Sequence, residues 1–285
     1  MPAGPQAALL PDGRRLHLHY GPIDLVIGAE GSAGEVGRAY DQAQARFNDI
    51  LPVLVEELAL LRRPVRVPRW RPSGPVARRM MDATWPHRDV FVTPMAAVAG
   101  AVADEMLMVL IAGRTLRTAY VNNSGDIAFH VAVGESLALG MVGDVHRPAI
   151  DGLARLTHEV PVRGIATSGW TGRSHSLGIA DAVTVLAGNA AAADVAATLI
   201  ANAVDSDHPA IVRRPARELD DDSDLGERLV TVAVGDLDSV SIEAALDAGT
   251  DAAEAMRVAG LIEGVALFVK GTNRVIGPAA PAIAA

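Results

Sequence analysis

AAAADVAATLIANA, residues Ala190 to Ala203, carries one carboxylate, Asp194, and one hydroxyl, Thr198, and follows GIATSGW (Gly164 to Trp170) by about twenty residues. Its alanine content makes it a helix, and residues four apart on a helix share one face. Small neighbours let a ligand or a second backbone approach that face closely. A carboxylate beside a hydroxyl offers two oxygen donors of the kind a hard cation such as Mg²⁺ takes. The same pattern suits an alanine-rich packing helix with a polar edge.

Working outward, the 285 residues are half hydrophobic with only 4% aromatics, which points to a large core of small, closely packed side chains. The net charge of −9 argues against nucleic-acid and anionic-membrane partners. Without a cysteine the chain has no disulfide, no thiolate nucleophile and no zinc–thiolate site. The opening MPAGPQAALLPDGRR does not read as a targeting segment. Two apolar runs, 94–112 and 190–203, contain Asp104 with Glu105 and Asp194 with Asn202, which are costly in a bilayer. Both are expected to be buried helices of a cytoplasmic protein.

RLHLHYGPIDLVIG, 15–28, predicts a strand, a Gly-Pro turn and a second strand. Val36, Tyr40, Ala43, Phe47 and Leu51 give 32–61 a helical period, with Pro52 kinking that helix or starting another. The Arg- and Pro-rich stretch 61–75 reads as a connector or a phosphate-reading loop. A small-residue helix over 93–113 precedes a hairpin over 118–134 that turns at Ser124-Gly125-Asp126. Strands follow at 164–169, running into a Thr-Ser-Gly loop, and at 182–187. The acidic run 218–227 lacks the glutamate of a calcium loop and reads as solvated. Asp205, Asp207 and His208 either bind metal or end a helix before Pro209. A strand (229–234), an amphipathic helix (241–261) and a strand (265–270) complete an α+β pattern.

Asn122-Asn123-Ser124-Gly125-Asp126-Ile127, Ala166-Thr167-Ser168-Gly169, Thr184-Val185-Leu186-Ala187 and Ala193-Asp194-Val195-Ala196-Ala197-Thr198 occur in that order. This set resembles the ApbE-like superfamily, whose best-known members are flavin transferases that move FMN from FAD to a protein threonine with help from Mg²⁺. The resemblance implies an ApbE-like α+β fold with duplicated, T-fold-like antiparallel sheets and packed helices. It implies one globular unit over 1–285 or two similar intertwined subdomains. By matching position it implies that Asp194 and Thr198 hold Mg²⁺, and that Ser124, Gly125, Asp126, Thr167, Ser168 and Gly169 contact a phosphorylated cofactor. Arg173 and His175, in the short connection after the Thr-Ser-Gly loop, are candidates to join them.

The chain also departs from the transferases. Ala99 stands where they carry lysine, Ser124 replaces a motif glycine, and 170–181 is too short for their His-His-x-x-Asp-Pro segment. The pattern is similar to an ApbE-related branch of bacteria and archaea. Three functions follow as expectations. One is a Mg²⁺-dependent, transferase-like enzyme acting on a phosphorylated flavin (FAD or FMN), pterin or nucleotide. A second is a non-catalytic binder of a flavin or pterin. A third is an enzyme of folate- or methanopterin-type one-carbon chemistry. The small-residue helices are compatible with a homodimer.

Overall fold

Alternation in LHLHY buries Leu16 and Leu18 and turns His17 and His19 to the other face, so the segment forms a strand with one side in a core. The computed structural model describes residues 4–141, 152–172 and 174–277. In chain order the elements are β1 (Gln6–Leu9), β2 (Leu16–Tyr20), β3 (Ile23–Gly31), α1 (Ala33–Leu61), α2 (Pro75–Thr84) and α3 (Val98–Ile111). Next come β4 (Leu116–Asn123), β5 (Asp126–Val131), β6 (Ser136–Met141), β7 (Gly152–Thr157), β8 (Gly164–Ser168), β9 (Ala182–Ala187) and α4 (Ala190–Ala203). β10 (Ile211–Pro215), β11 (Leu229–Val234), α5 (Ser239–Val258), β12 (Gly264–Val269) and β13 (Thr272–Ile276) finish the fold. The α+β class expected from the sequence is the one observed.

The chain forms two compact units whose segments interleave. The first runs through Leu137 and adds Leu156–Ile165 and Gly188–Asp194. Its strands lie in the order β1-β2-β3-β4-β5, with the start of β8 beside β5, and every pairing is antiparallel. Helix α3 packs on β4, β5, α1 and α2. The 94–111 stretch is long and apolar enough to cross a membrane by composition alone, but more than half of it is buried here.

Helix α1 opens with Ser32, whose hydroxyl accepts from the Glu35 amide, and buries Ala39, Tyr40, Ala43, Phe47, Ile50, Leu54 and Leu61 along one stripe. Pro52 lies inside this single helix, so no second helix starts there. Burial of Phe47, Ile50 and Leu54 on both sides of the proline outweighs the lost backbone hydrogen bond. The hairpin between β4 and β5 turns on Ser124 (φ 56°) and Gly125 (φ 112°), both left-handed, as a two-residue connection between twisted strands requires. Asn122 fixes it by accepting from the Gly125 amide at 2.8 Å.

The second unit comprises Ala138–Arg155, Ala166–Ala187 and the chain from Val195 onward. Its strands lie in the order β8-β9-β12-β13, and β9 is buried along its whole length. The latter turns of α4 belong here, as does α5, which packs on β12 and β13. Asp238 caps α5 by accepting from the Ser241 amide at 2.8 Å. β10 pairs with β11, and β6 with β7, as separate ribbons. Six elements were not foreseen: β1, β6, β7, β10, β13 and α2.

Candidate functional site

VAGAVAD (98–104) opens α3 and GNAAAAD (188–194) leads into α4, with their glycine or alanine at 100 and 190 and their aspartates at 104 and 194. The small residues let the two helix starts touch. A Cβ on Gly100 would run into the Ala190 carbonyl and the Ala191 amide, and one on Gly164 would run into the Asn189 backbone. Asp104 accepts from the Ala190 and Ala191 amides, each at 2.9 Å. In return Asp194 accepts from the Gly100 amide at 3.0 Å. The side chain of Asn189 caps α4 through the Ala192 amide at 2.8 Å.

Each acid thus sits at the positive end of the other's helix, where a negative charge is favoured. Burial nevertheless raises Asp104, opposed by the Ala191 and Ala190 amides and by Arg79. Burial also pushes Asp194 up to about 7 against the Gly100 and Ala99 amides, and the nearby Asp104 charge adds to the rise. Arg79 is itself occupied by Glu105, at 3.2 Å. Among the described residues Asp194 has no basic ion-pair partner.

The hairpin lies at the same end of the first unit. The side-chain Nδ2 of Asn123, the residue before the turn, donates to the Ala99 carbonyl at 3.1 Å. Ser124, Gly125, Asp126 and Asp194 are therefore gathered around the first turn of α3. Asp126 is half-buried and Gly125 exposed.

In the second unit, Thr167 shares a hydrogen bond with Thr184 at 2.9 Å across β8 and β9. Gly169 is pressed against the Ala180 and Asp181 carbonyls, which leave no room for a Cβ. Asp181 accepts from the Trp170 indole at 3.1 Å and from the Lys270 amide at 2.5 Å, fixing the loop after Ser168. Asn202 on α4 accepts from the Ser176 hydroxyl at 3.2 Å and the Leu177 amide at 2.9 Å. His175 and Thr198 are half-buried. Arg173 lies outside the described residues.

Two residues that hold the site together, Asp104 and Asn189, were given no site role in the sequence reading, and Asn123 was read only as part of the hairpin motif. The matched spacing of the two small-residue segments was the available signal. The Asp205–Asp207–His208 group lies in the irregular connection between α4 and β10. Asp205 pairs with Arg213, and His208 accepts from the Ala210 amide at 3.1 Å.

The donor chemistry around Asp194 fits a hard cation. A carboxylate with a second carboxylate close by and no basic partner is where a divalent ion lowers the electrostatic cost, and the Thr198 hydroxyl follows one helical turn later. No group of three or more acidic, histidine or cysteine side chains converges among the described residues. Further ligands would therefore come from carbonyls, water or a bound phosphate.

The chain matches the family described as AbpE bacteria over residues 7–275. It is 39% identical over 183 residues to a UPF0280 protein of Methanopyrus kandleri, covering 62% of this chain and 69% of that one. It is 36% identical over 173 residues to a UPF0280 protein of Methanothermobacter thermautotrophicus, covering 58% and 62% respectively. A third UPF0280 protein, from Methanothrix thermoacetophila, is matched over 54% of its length. The chain thus spans about half to two thirds of these relatives. Among solved structures it is similar to a mutant of the flavin transferase ApbE from Vibrio cholerae. The TM-score is 0.50 at 11% identity, over 97% of this chain and 98% of that one, a likeness of fold alone.

Proposed function

Since the chain belongs to the family described as AbpE bacteria, we propose that it is a Mg²⁺-dependent enzyme acting on a phosphorylated flavin, pterin or nucleotide. The observation that carries this reading is the placement of Asp194. Its carboxylate is fixed by the Gly100 amide beside Asp104, with no basic partner among the described residues. When bound, the metal neutralises phosphate charge. Asp194 and Thr198 hold it, and Asp104 anchors the start of the helix that carries them both. The Ser124-Gly125-Asp126 hairpin of the first unit borders the place where phosphate oxygens would lie.

Thermal melting with FAD, FMN, ATP and a pterin, each with and without Mg²⁺, tests the proposal. A ligand that binds the folded state raises the melting temperature. The expected result is a rise that needs Mg²⁺ and disappears in Asp194→Asn. A rise that ignores Mg²⁺ overturns the metal, and no rise with any ligand overturns the substrate class.

A second reading, a non-catalytic binder of the same cofactors, rests on Ala99. It stands where the related transferases carry lysine, and its carbonyl is taken by Asn123. Binding without turnover of FAD in the presence of Mg²⁺ would favour it.

A further inference from the structure

In a chain of net charge −9, the 27 residues from Arg62 to Arg88 hold eight arginines and a single acid, Asp82. This segment is built rather than loose. Glu57 of α1 accepts from the Ser73 and Gly74 amides at 2.7 and 2.8 Å, and the Val65 amide donates to Val92 at 2.8 Å. Pro75 then starts α2. Between loop and helix lies a cavity of about 300 Å³ lined by Arg69, Trp70, Arg71, Pro72, Arg78 and Asp82.

Only part of this positive charge is used internally. Arg69 pairs with Asp82 and, together with Arg88, lies over the Trp85 ring, at 5.1 and 5.2 Å. Arg78 donates to the Ser73 carbonyl. Among the described residues the Arg71 guanidinium has no hydrogen bond or ion pair. Arg79, the residue after Arg78 on α2, turns away to Glu105. The cavity thus presents one uncommitted guanidinium, two more with spare donors, and an indole wall.

We infer that this cavity is an accessory site for a small organic phosphate, whose anion the Arg69, Arg71 and Arg78 guanidiniums grip and whose apolar part rests against Trp70. A guanidinium matches the oxygen spacing of a phosphate with paired donors, which a lysine ammonium cannot do. The volume suits one phosphate group with a compact apolar substituent. The residues are distinct from the acids of α3 and α4, so the inference stands whether or not the Mg²⁺ reading does.

The test is tryptophan fluorescence of the full chain in a chelating buffer, with Trp170→Phe leaving Trp70 and Trp85 as reporters. Inorganic pyrophosphate and phenyl phosphate are titrated, with phenol as control. Both phosphates are expected to shift the signal and phenol is not. Arg71→Ala should weaken both by about tenfold or more at an unchanged melting temperature, because a hydrogen bond to a charged group is lost. Arg71→Lys should recover part of the affinity, and Asp194→Asn should bind like the parent. Equal affinity in Arg71→Ala, or no titration of the parent, overturns the inference. So does binding confined to anionic lipid vesicles. A dimer lost in Arg71→Ala without any phosphate binding would instead assign the cavity to the acidic 218–227 loop of a second copy, and would overturn it too.

Discussion

Asp104 and Asp194 each cap the helix that bears the other: Asp104 of α3 accepts from the Ala190 and Ala191 amides of α4, and Asp194 of α4 accepts from the Gly100 amide of α3. Two helix starts and two half-buried acids are satisfied by one exchange. Loss of either acid leaves amides without a partner and removes the charge that balances a helix end.

Asp104→Ala should therefore cost about 1–2 kcal/mol of stability, in the range measured for lost helix caps. Asp104→Asn retains one acceptor and should fall between the parent and Asp104→Ala. Urea unfolding of the three proteins checks the order.

Asp194 holds its proton up to about pH 7 when folded, whereas an unfolded aspartate loses it near ~3.9. Between these values the folded state binds more protons, so stability falls as pH rises. The contribution is fully present below the unfolded pKa and is lost as pH climbs through about 7. Asp104, also raised by burial, acts in the same direction. In a chelating buffer the melting temperature should decline across that window, and Asp194→Asn should flatten the decline. An unchanged slope in the variant would remove Asp194 as its source.

Gly100→Ala should destabilise the protein by about 1–3 kcal/mol, the usual cost of overpacking, because the added methyl meets the Ala190 backbone rather than a flexible side chain. Ala101→Gly, one residue on, creates no clash and serves as the control for helix propensity. Thermal melting of both separates the two effects.

Glu105 is 3% exposed and is shared by Arg46, at 3.1 Å, and Arg79, at 3.2 Å. Glu105→Ala leaves two partly buried guanidiniums without their anion and should cost about 3 kcal/mol. Adding Arg46→Ala and Arg79→Ala to it should recover part of the loss. Equal unfolding midpoints for the single and triple variants would show that packing, not charge, governs this cluster.

Much of the fold was legible because its signals are local. Alternation marked β2, a continuous apolar run marked β3, the 3.6-residue stripe marked α1, and Gly125 marked the hairpin turn. Helix α2 was hidden because its Arg–Pro surroundings read as a connector, although Gly74-Pro75 is a regular helix start. β1 and β13 are short strands with little alternation to detect; all four residues of β1 are exposed. At the candidate site, the motif acids and loops could be named from sequence. Their support could not, since Asp104 bonds to amides more than eighty residues away, and only the chain's folding makes that pairing.

The interleaving of the two compact units has a consequence for how the molecule is made. The first unit ends at Asp194, yet two segments of the second unit's chain, Ala138–Arg155 and Ala166–Ala187, come before that residue. A ribosome delivering the chain from its N-terminus has therefore exported parts of both units before either is finished. The last residue the first unit receives is the acid that caps α3. Truncations ending short of Gly188 should therefore emerge as protease-sensitive nascent chains, with resistance gained abruptly once translation passes the start of α4.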